Sequence, residues 1–211
     1  MDHSWVEKTR GMSVKDQWEL LYKEQSAVSV EGRSVWLPKG DIFKHAENLI
    51  ATLPELFKEL NIKTFVDVGC SDFIWQSKVE WKGVEYLGYD IVEGIVDDNK
   101  IKYPEYKFEC KNLIEDDCIK ADMVFIRNVL LHTTIDGIFK IVNNIKRSGS
   151  TYLMASTMPT LDINRDTTGI WVVRKNLQIE PFNFPEPLHL IKEIRTDDIN
   201  NYMGVWKVNG C

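Results

Sequence analysis

The chain has 211 residues, of which 44% are hydrophobic, and this is the size of one domain with one substantial core. Its formal net charge is −6 and it has no unbalanced basic stretch, which argues against a nucleic-acid partner. No apolar run approaches the ~18 residues of a membrane span, and the charged N-terminus does not resemble a signal peptide, so a cytoplasmic protein is expected.

The cysteines give no sign of a metal site or of a disulfide framework. Cys70, Cys110, Cys118 and Cys211 form no CxxC pair and have no histidine at zinc-ligand spacing. We therefore expect reduced thiols and no bound metal. The acidic run at 115–117 is interpreted as a solvated turn.

The first 40 residues are predicted to form a helix and a lid-like segment. Residues 14–25 place Trp18 and Tyr22 at helical spacing, and we interpret both as packing residues. The stretch at 26–39 contains Gly and Pro and is typical of a loop. Trp36 and Lys39 are candidates to close over a ligand.

A cofactor-binding core is predicted for residues 41–158. Asp41 is a candidate N-cap for an amphipathic helix that continues to about residue 60, with Pro54 as a possible kink. Strand-like runs follow at 64–68, 86–91, 106–110, 122–127 and 150–156, with helical stretches between several of them. Strands that alternate with helices predict right-handed crossovers and a parallel sheet.

Residues 159–211 are predicted to form an acceptor-binding loop and a C-terminal hairpin. The run at 162–187 is irregular and rich in Trp, Asn and Arg, and loops over the carboxyl edge of such a sheet often build ligand pockets. The runs at 188–194 and 203–208 are too close for a helical crossover, so we expect them to pair antiparallel. The chain 1–211 is thus interpreted as a single domain.

The strongest chemical signal is the segment FVDVGCSDF at 65–73, a buried strand that runs into a tight turn. A second acid, Asp90, ends the next predicted strand. In an open α/β sheet the ligand lies at the carboxyl ends of the strands. A glycine turn there lets the backbone approach the ligand, and an acid after the second strand can bind ribose hydroxyls. The pattern therefore predicts a nucleoside-containing cofactor.

Two features favour S-adenosylmethionine over NAD. A dinucleotide turn uses three glycines, whereas only Gly69 is present here, with Ser71 and Phe73 where others might stand. Asp67 and Asp72 would repel a phosphate but suit a cationic ammonium and sulfonium. An acid before a glycine turn can also be ordinary turn chemistry. The pattern favours methyl transfer.

Several segments together resemble class I S-adenosylmethionine-dependent methyltransferases: FVDVGCSDFIWQ, YLGYDIV, ADMVFIRNVLLH and the late run at 171–191. The similarity covers about 41–206 and points to a branch found near polysaccharide and surface-glycan genes of bacteria and large DNA viruses; a viral source would imply the host cytoplasm. Ser71 departs from a glycine of that branch, and Asn128 from an acid. The resemblance implies a Rossmann-like three-layer α/β sandwich with a seven-stranded, mostly parallel sheet.

The resemblance also implies which residues bind the cofactor, S-adenosylmethionine, whose product is S-adenosylhomocysteine. Asp67 and Gly69 would line its methionine end, and Asp90 would hold the ribose. Asn112 and Leu113, after the third strand, would meet the adenine. The complete expected set is Asp67, Gly69, Cys70, Ser71, Asp72, Asp90, Ile91, Asn112, Leu113 and Arg127.

The resemblance implies that Arg127 and Asn128, at the end of the fourth predicted strand, face the reaction centre, and together with His132, just past that end, they are the candidate catalytic residues. The sulfonium already activates the methyl group, so the protein has to hold the acceptor in line and remove a proton. His132 is the candidate base, since an imidazole accepts a proton near neutral pH. The alternative is that its ring merely caps or packs at the start of a helix.

The candidate acceptor-binding residues are Asp162, Asn164, Trp171, Arg174 and Asn176. A tryptophan with amides and an arginine suits a sugar, which has an apolar face and a ring of hydroxyls. The prediction is therefore an O-methyltransferase of a small acceptor, a sugar of a glycan or polysaccharide. N-methylation of a small molecule, an NAD-type oxidoreductase and an inactive nucleoside-binding module remain alternatives.

Overall fold

The computed structural model describes residues 3–26, 42–193 and 201–211. The helices in these ranges are α1 (His3–Lys8), α2 (Val14–Ser26), α3 (Ile42–Glu59), α4 (Glu93–Lys102) and α5 (Ile135–Ser148). The strands are β1 (Thr64–Val68), β2 (Glu85–Asp90), β3 (Lys107–Cys110), β4 (Met123–Ile126), β5 (Tyr152–Thr157), β6 (His189–Lys192) and β7 (Tyr202–Lys207). The predicted cap Asp41 and the candidates Trp36 and Lys39 lie outside the described residues.

The described strands form one seven-stranded sheet in the order β3-β2-β1-β4-β5-β7-β6. The first five strands along the chain are parallel, and β7 lies antiparallel between β5 and β6. This confirms the predicted Rossmann-like α/β fold with its antiparallel C-terminal hairpin. The strand order reverses between β1 and β4, and ligands of open α/β sheets bind at such a switch point.

Helices cover both faces of the sheet because the parallel strands are apolar on both sides. Phe65 of β1 packs with Leu49 and Leu53 of α3, whereas its neighbour Val66 packs on the other face with Ile138 of α5. Successive side chains along each strand therefore point into two separate hydrophobic cores, as expected for a parallel sheet between helix layers. No helix in the described ranges is long and apolar enough to cross a membrane.

The predicted elements are correct in kind but some begin later than expected. The run at 150–156 becomes a strand only from Tyr152, and the backbone N–H of Ser150 donates to the hydroxyl of Ser148 at 3.2 Å. The helix α3 continues through Pro54. Thr134 caps α5 by accepting the N–H of Gly137, as its position before the apolar run would indicate.

Candidate cofactor and acceptor site

A cavity of about 520 Å³ opens at the switch point, at the carboxyl ends of β1, β2 and β4. Most residues predicted to bind a cofactor or to act in catalysis lie on it together. Those on its wall are Asp67, Gly69, Ser71, Asp72, Asp90, Ile91, Asn112, Leu113, Arg127, Asn128 and His132. Residues that are far apart in the sequence therefore share one concave site, as ligand-binding clefts require.

The turn after β1 brings the backbone close to this cavity. Gly69 has φ 76°, and a Cβ placed there would lie 2.3 Å from Cγ2 of Val129. Ser71, which stands where the sequence resemblance would have glycine, also adopts a left-handed φ of 54°. Its N–H donates to Asp90 at 3.0 Å and its carbonyl accepts from Asn99 at 2.6 Å. These bonds stabilise a conformation that disfavours a side chain.

Cys70 does not share the cavity wall, although it was predicted among the cofactor-binding residues. Its side chain is buried against Gly88, and burial raises the pKa of the thiol well above its ordinary value. Its neighbours along the turn line the cavity, so the left-handed conformations on either side aim this one side chain into the core. Cys70 contributes backbone to the turn.

The two acids predicted at the strand ends are both buried and oriented by hydrogen bonds. Oδ2 of Asp67 accepts from the Gln76 amide at 2.9 Å and from the Tyr86 hydroxyl at 2.7 Å. The oxygens of Asp90 accept backbone N–H groups, including that of Val92 at 3.0 Å. Burial raises the pKa of each carboxyl to about 6, against the effect of these bonds. A cationic or hydroxylic ligand would favour their ionised forms.

The turn after β3 presents Asn112 and Leu113 to the same cavity. Oδ2 of Asp116 accepts the N–H of Asn112 at 2.7 Å, and Asn144 donates to the carbonyl of Leu113 at 2.7 Å. The acidic run at 115–117, which was expected to be a solvated turn, therefore also fixes the backbone of Asn112 through Asp116. Among the described residues, no cluster of three or more His, Cys, Asp or Glu side chains could hold a metal ion.

Arg127 lies on the cavity wall with its charge already paired. Its Nε donates to the buried Glu193 at 2.5 Å, and Nη2 donates to the carbonyl of His45 at 3.1 Å. The guanidinium lies 5.0 Å from the ring centroid of Trp75. A buried arginine needs such partners, because an isolated charge there would be costly.

Asn128 stands where the sequence resemblance would have an acid, and the surroundings of this residue suit an amide. It adopts a left-handed φ of 59°, a conformation that asparagine tolerates, and its N–H donates to Ser156 at 2.9 Å. Its Oδ1 lies 3.4 Å from Nδ2 of Asn201, which also donates to Glu193. A carboxylate at 128 would add a second negative charge beside Glu193 and raise the electrostatic cost.

His132 is held in the form that a general base requires. Its Nδ1 lies 2.8 Å from the carbonyl of Ile170, which can only accept, so Nδ1 carries the proton and Nε2 the lone pair. Burial lowers the pKa of the imidazole, which keeps it neutral near pH 7. The ring of Trp18 packs against it at 89°, with centroids 5.0 Å apart.

Sequence reasoning missed one wall of the cavity, which α2 provides. Val14, Trp18, Leu21 and Gln25 line it from this helix, so Trp18 is a cavity residue as well as a packing residue. The apolar periodicity of α2 was visible, but it does not distinguish a face that covers a core from one that covers a ligand.

The five predicted acceptor-binding residues do not line this cavity. Asn164 donates to the carbonyls of Asn176 and Glu180, both at 2.8 Å. Asn176 is buried and donates to the carbonyl of Leu161 at 2.9 Å. These amides satisfy the backbone of a segment that lacks regular structure, which is a structural role.

The other three predicted acceptor residues lie elsewhere on the same segment. Asp162 is exposed, Trp171 is half-buried, and Arg174 borders a second, much smaller pocket. Gly169 and Val172 are the residues by which this segment reaches the main cavity. The segment does contribute to the site, but through neighbours of the side chains that sequence composition singled out.

Solved structures share this fold across nearly the whole chain. Magnesium protoporphyrin IX methyltransferase from Synechocystis PCC 6803, crystallised with bound SAM, has a TM-score of 0.65 at 14% identity, covering 94% of this chain and 98% of that one. N-methyltransferase NodS from Bradyrhizobium japonicum WM9, in complex with S-adenosylhomocysteine, has a TM-score of 0.62 at 10% identity, covering 89% and 97%.

A third similar structure is 1,6-didemethyltoxoflavin-N1-methyltransferase from Burkholderia thailandensis, with a TM-score of 0.63 at 14% identity, covering 92% of this chain and 90% of that one. Neither a protein-family model nor a curated protein sequence matches the chain. The fold is that of class I S-adenosylmethionine-dependent methyltransferases.

Proposed function

We propose that the protein binds S-adenosylmethionine in the switch-point cavity and transfers its methyl group to a hydroxyl of a small acceptor. The observation that carries this proposal is the close-packed Gly69 turn beside two buried acids, Asp67 and Asp90, on one cavity. A neutral nucleoside with a cationic tail suits these acids, whereas a pyrophosphate would meet negative charge at the turn.

The residues present fit this cofactor. Asp67 and Asp72 line the cavity, and their carboxylates would stabilise an ammonium and a sulfonium. Asp90 is oriented toward the cavity by backbone donors and would bind the ribose, and Asn112 with Leu113 would flank the adenine. When bound, S-adenosylmethionine supplies a methyl group that its sulfonium activates.

The chain's own residues would then orient the acceptor and take its proton. Nε2 of His132 is the proposed acceptor of that proton, because Nδ1 is engaged by Ile170 and the ring is neutral. The charge of Arg127 is neutralised by Glu193, so Arg127 and Asn128 are proposed to shape the reaction site.

The nature of the acceptor separates two candidate functions. A glycan hydroxyl is the acceptor that the sequence resemblance implies, but the side chains expected to bind a sugar lie off the cavity. Two of the similar structures are named as N-methyltransferases, which favours a nitrogen acceptor as the second candidate. Fold alone does not choose between them.

Calorimetric titration with S-adenosylmethionine, S-adenosylhomocysteine and NAD tests the cofactor. We expect micromolar binding of both sulfur nucleosides and none of NAD. Asp90→Ala should weaken S-adenosylhomocysteine binding at least tenfold, since a hydrogen bond to a charged group contributes ~1.5–3 kcal/mol. Asp117→Ala is the matched control, because that acid is exposed and bonds Arg147.

Asp90→Asn keeps the shape of the side chain, so it tests the same assignment if the alanine variant has a folding defect. Both Asp90 variants should bind more weakly while unfolding cooperatively. Binding of NAD alone, or of none of the three nucleosides, would overturn the proposed function.

A further inference from the structure

The part of the cavity that the cofactor residues do not form is largely apolar. It is lined by Val14, Trp18, Leu21 and the polar Gln25 of α2 and by Val172 of the late segment, with His132 beside Trp18. These residues come from elements outside the β1, β2 and β3 turns, which carry the proposed cofactor contacts. The acceptor would therefore meet one base, one amide oxygen and several apolar surfaces.

We propose that the acceptor is a planar aromatic molecule with an ionisable hydroxyl, a phenol, that binds against Trp18 with its hydroxyl at Nε2 of His132. This inference rests on the proposed methyl transfer and names its substrate class. The rings of Trp18 and His132 meet at 89°, which forms a corner in which a flat ring can contact both.

Two of the polar side chains near His132 are already engaged, whereas Gln25 of α2 presents a buried Oε1 that has no hydrogen-bond partner and could accept from one hydroxyl. Arg127 is paired with Glu193, and Asn128 is bonded to Ser156 and lies beside Asn201. A sugar brings several hydroxyls, and each one buried without a partner costs binding free energy. An aromatic ring has no such requirement and gains from apolar burial.

The strength of the base also selects an acidic hydroxyl. An imidazole whose pKa is lowered by burial is a weak base. A phenol has a pKa of about 10, whereas the pKa of an alcohol lies far higher, near that of water, so proton transfer from a sugar to His132 would be far more unfavourable. The weak base and the largely apolar cavity wall therefore both favour a phenol as the acceptor.

The step balances with the donor that the proposed function supplies. The acceptor oxygen forms an O–CH3 bond as the S–CH3 bond of S-adenosylmethionine breaks. The electron pair of the broken bond stays on sulfur, which gives S-adenosylhomocysteine, and the phenolic proton moves to Nε2 of His132.

A matched set of probes tests the class of acceptor. Catechol, cyclohexane-1,2-diol and methyl rhamnoside are titrated calorimetrically into the protein saturated with S-adenosylhomocysteine. The same compounds are then supplied with S-adenosylmethionine, and S-adenosylhomocysteine release is measured. We expect catechol to bind at least tenfold more tightly than either saturated compound and to be the one methylated.

Trp18→Leu and Trp18→Phe separate a specificity role from a structural one. Leucine should remove the preference for catechol over cyclohexane-1,2-diol, and phenylalanine should restore most of it, when both preferences are measured in protein saturated with S-adenosylhomocysteine. A preference that survives Trp18→Leu would overturn the assignment of this residue.

The outcomes distinguish this inference from the proposed function. S-adenosylmethionine binding with methylation of the rhamnoside, or with no preference among the probes, would overturn the phenol while leaving methyl transfer in place. Failure to bind either sulfur nucleoside would overturn the proposed function itself.

Discussion

Gly69 allows the turn after β1 to pack directly against the side chain of Val129. Its φ is 76°, and an added Cβ would lie 2.3 Å from Cγ2 of Val129. Gly69→Ala should therefore destabilise the fold by ~2–4 kcal/mol, from the left-handed backbone and from overpacking. Urea unfolding and S-adenosylhomocysteine titration measure the loss of stability and of affinity.

The double variant Gly69→Ala/Val129→Ala divides that loss into its two causes. Removing Cγ2 relieves the overpacking but not the backbone strain, so the double variant should be more stable than the sum of the single variants predicts. Simple additivity would show that the clash with Val129 is absent.

Asp67 and Asp90 make the pH dependences of stability and of cofactor binding opposite in sign. Burial raises the pKa of each from 3.8 to about 6, so between these values the folded chain binds more protons than the unfolded chain. Their contribution to stability is therefore fully present below pH ~4 and is lost as the pH rises through ~6. A cationic cofactor instead requires the ionised carboxylates.

Lowering the pH from about 7.5 to about 5.5 should consequently weaken S-adenosylmethionine binding several-fold. Over the same interval these two acids should raise the free energy of unfolding of the ligand-free chain. Calorimetry and urea unfolding at both pH values check the prediction. In Asp90→Asn both pH dependences should be smaller, and unchanged profiles would rule out Asp90 as a source.

Sequence reasoning indicated the position of a side chain best where a local rule fixes it. Asp67, Gly69 and Asp90 lie on one cavity, as a buried strand followed by a turn indicated. Cys70 lies off the cavity wall, because the direction of a side chain in a tight turn depends on φ values that the sequence does not specify. Asn176 also lies off the cavity and binds backbone, and the sequence alone does not distinguish an amide that binds a sugar from one that binds backbone.

The helix α2 is attached to the cofactor side of the domain by specific polar contacts. The Tyr22 hydroxyl donates to Asp98 at 2.6 Å, and Glu19 accepts the N–H of Glu93 at the start of α4 at 2.8 Å. The acid therefore caps a helix whose own N-cap, Val92, makes no side-chain bond. These contacts hold Trp18 over the cavity.

Tyr22→Phe should loosen α2 without removing apolar packing. The lost bond to a carboxylate contributes ~1.5–3 kcal/mol. Hydrogen exchange of the α2 amides should therefore become faster, while that of the β4 amides stays as in the unmodified chain. Glu55→Gln is the control, since it removes only an exposed pair with Lys58. Unchanged α2 exchange in Tyr22→Phe would show that other contacts hold the helix.

At the scale of elements, the alternation of strands and helices predicted the parallel sheet, and the short spacing of the last strands predicted their antiparallel pairing. Neither pattern indicated that β7 lies between β5 and β6 in the sheet. Only the resemblance, with its mostly parallel sheet, implied a strand that runs antiparallel to the others. Which neighbour β7 pairs with depends on contacts between distant residues, such as Leu153 opposite Trp206.

Across the whole molecule, Arg127 connects parts of the chain that the sequence separates widely. It follows β4, pairs with Glu193 after β6, binds the carbonyl of His45 in α3 and lies over Trp75. Asn48 of α3 also donates to the carbonyl of Lys192 at 2.8 Å. The C-terminal hairpin, α3 and the cavity wall are thus joined at one buried ion pair.

Breaking that pair should destabilise the whole domain and not only the site. Glu193→Gln keeps the size of the side chain but leaves the buried Arg127 charge unpaired, which costs ~3–5 kcal/mol. Arg147→Met is the control, because it breaks an exposed pair with Asp117 that contributes ~1 kcal/mol or less. Urea unfolding of Glu193→Gln, of Arg127→Met and of the double variant measures the coupling. Since the double variant leaves no unpaired charge, it should lose less stability than the two single variants together. Equal losses of stability in Glu193→Gln and Arg147→Met would show that the buried pair does not join these elements.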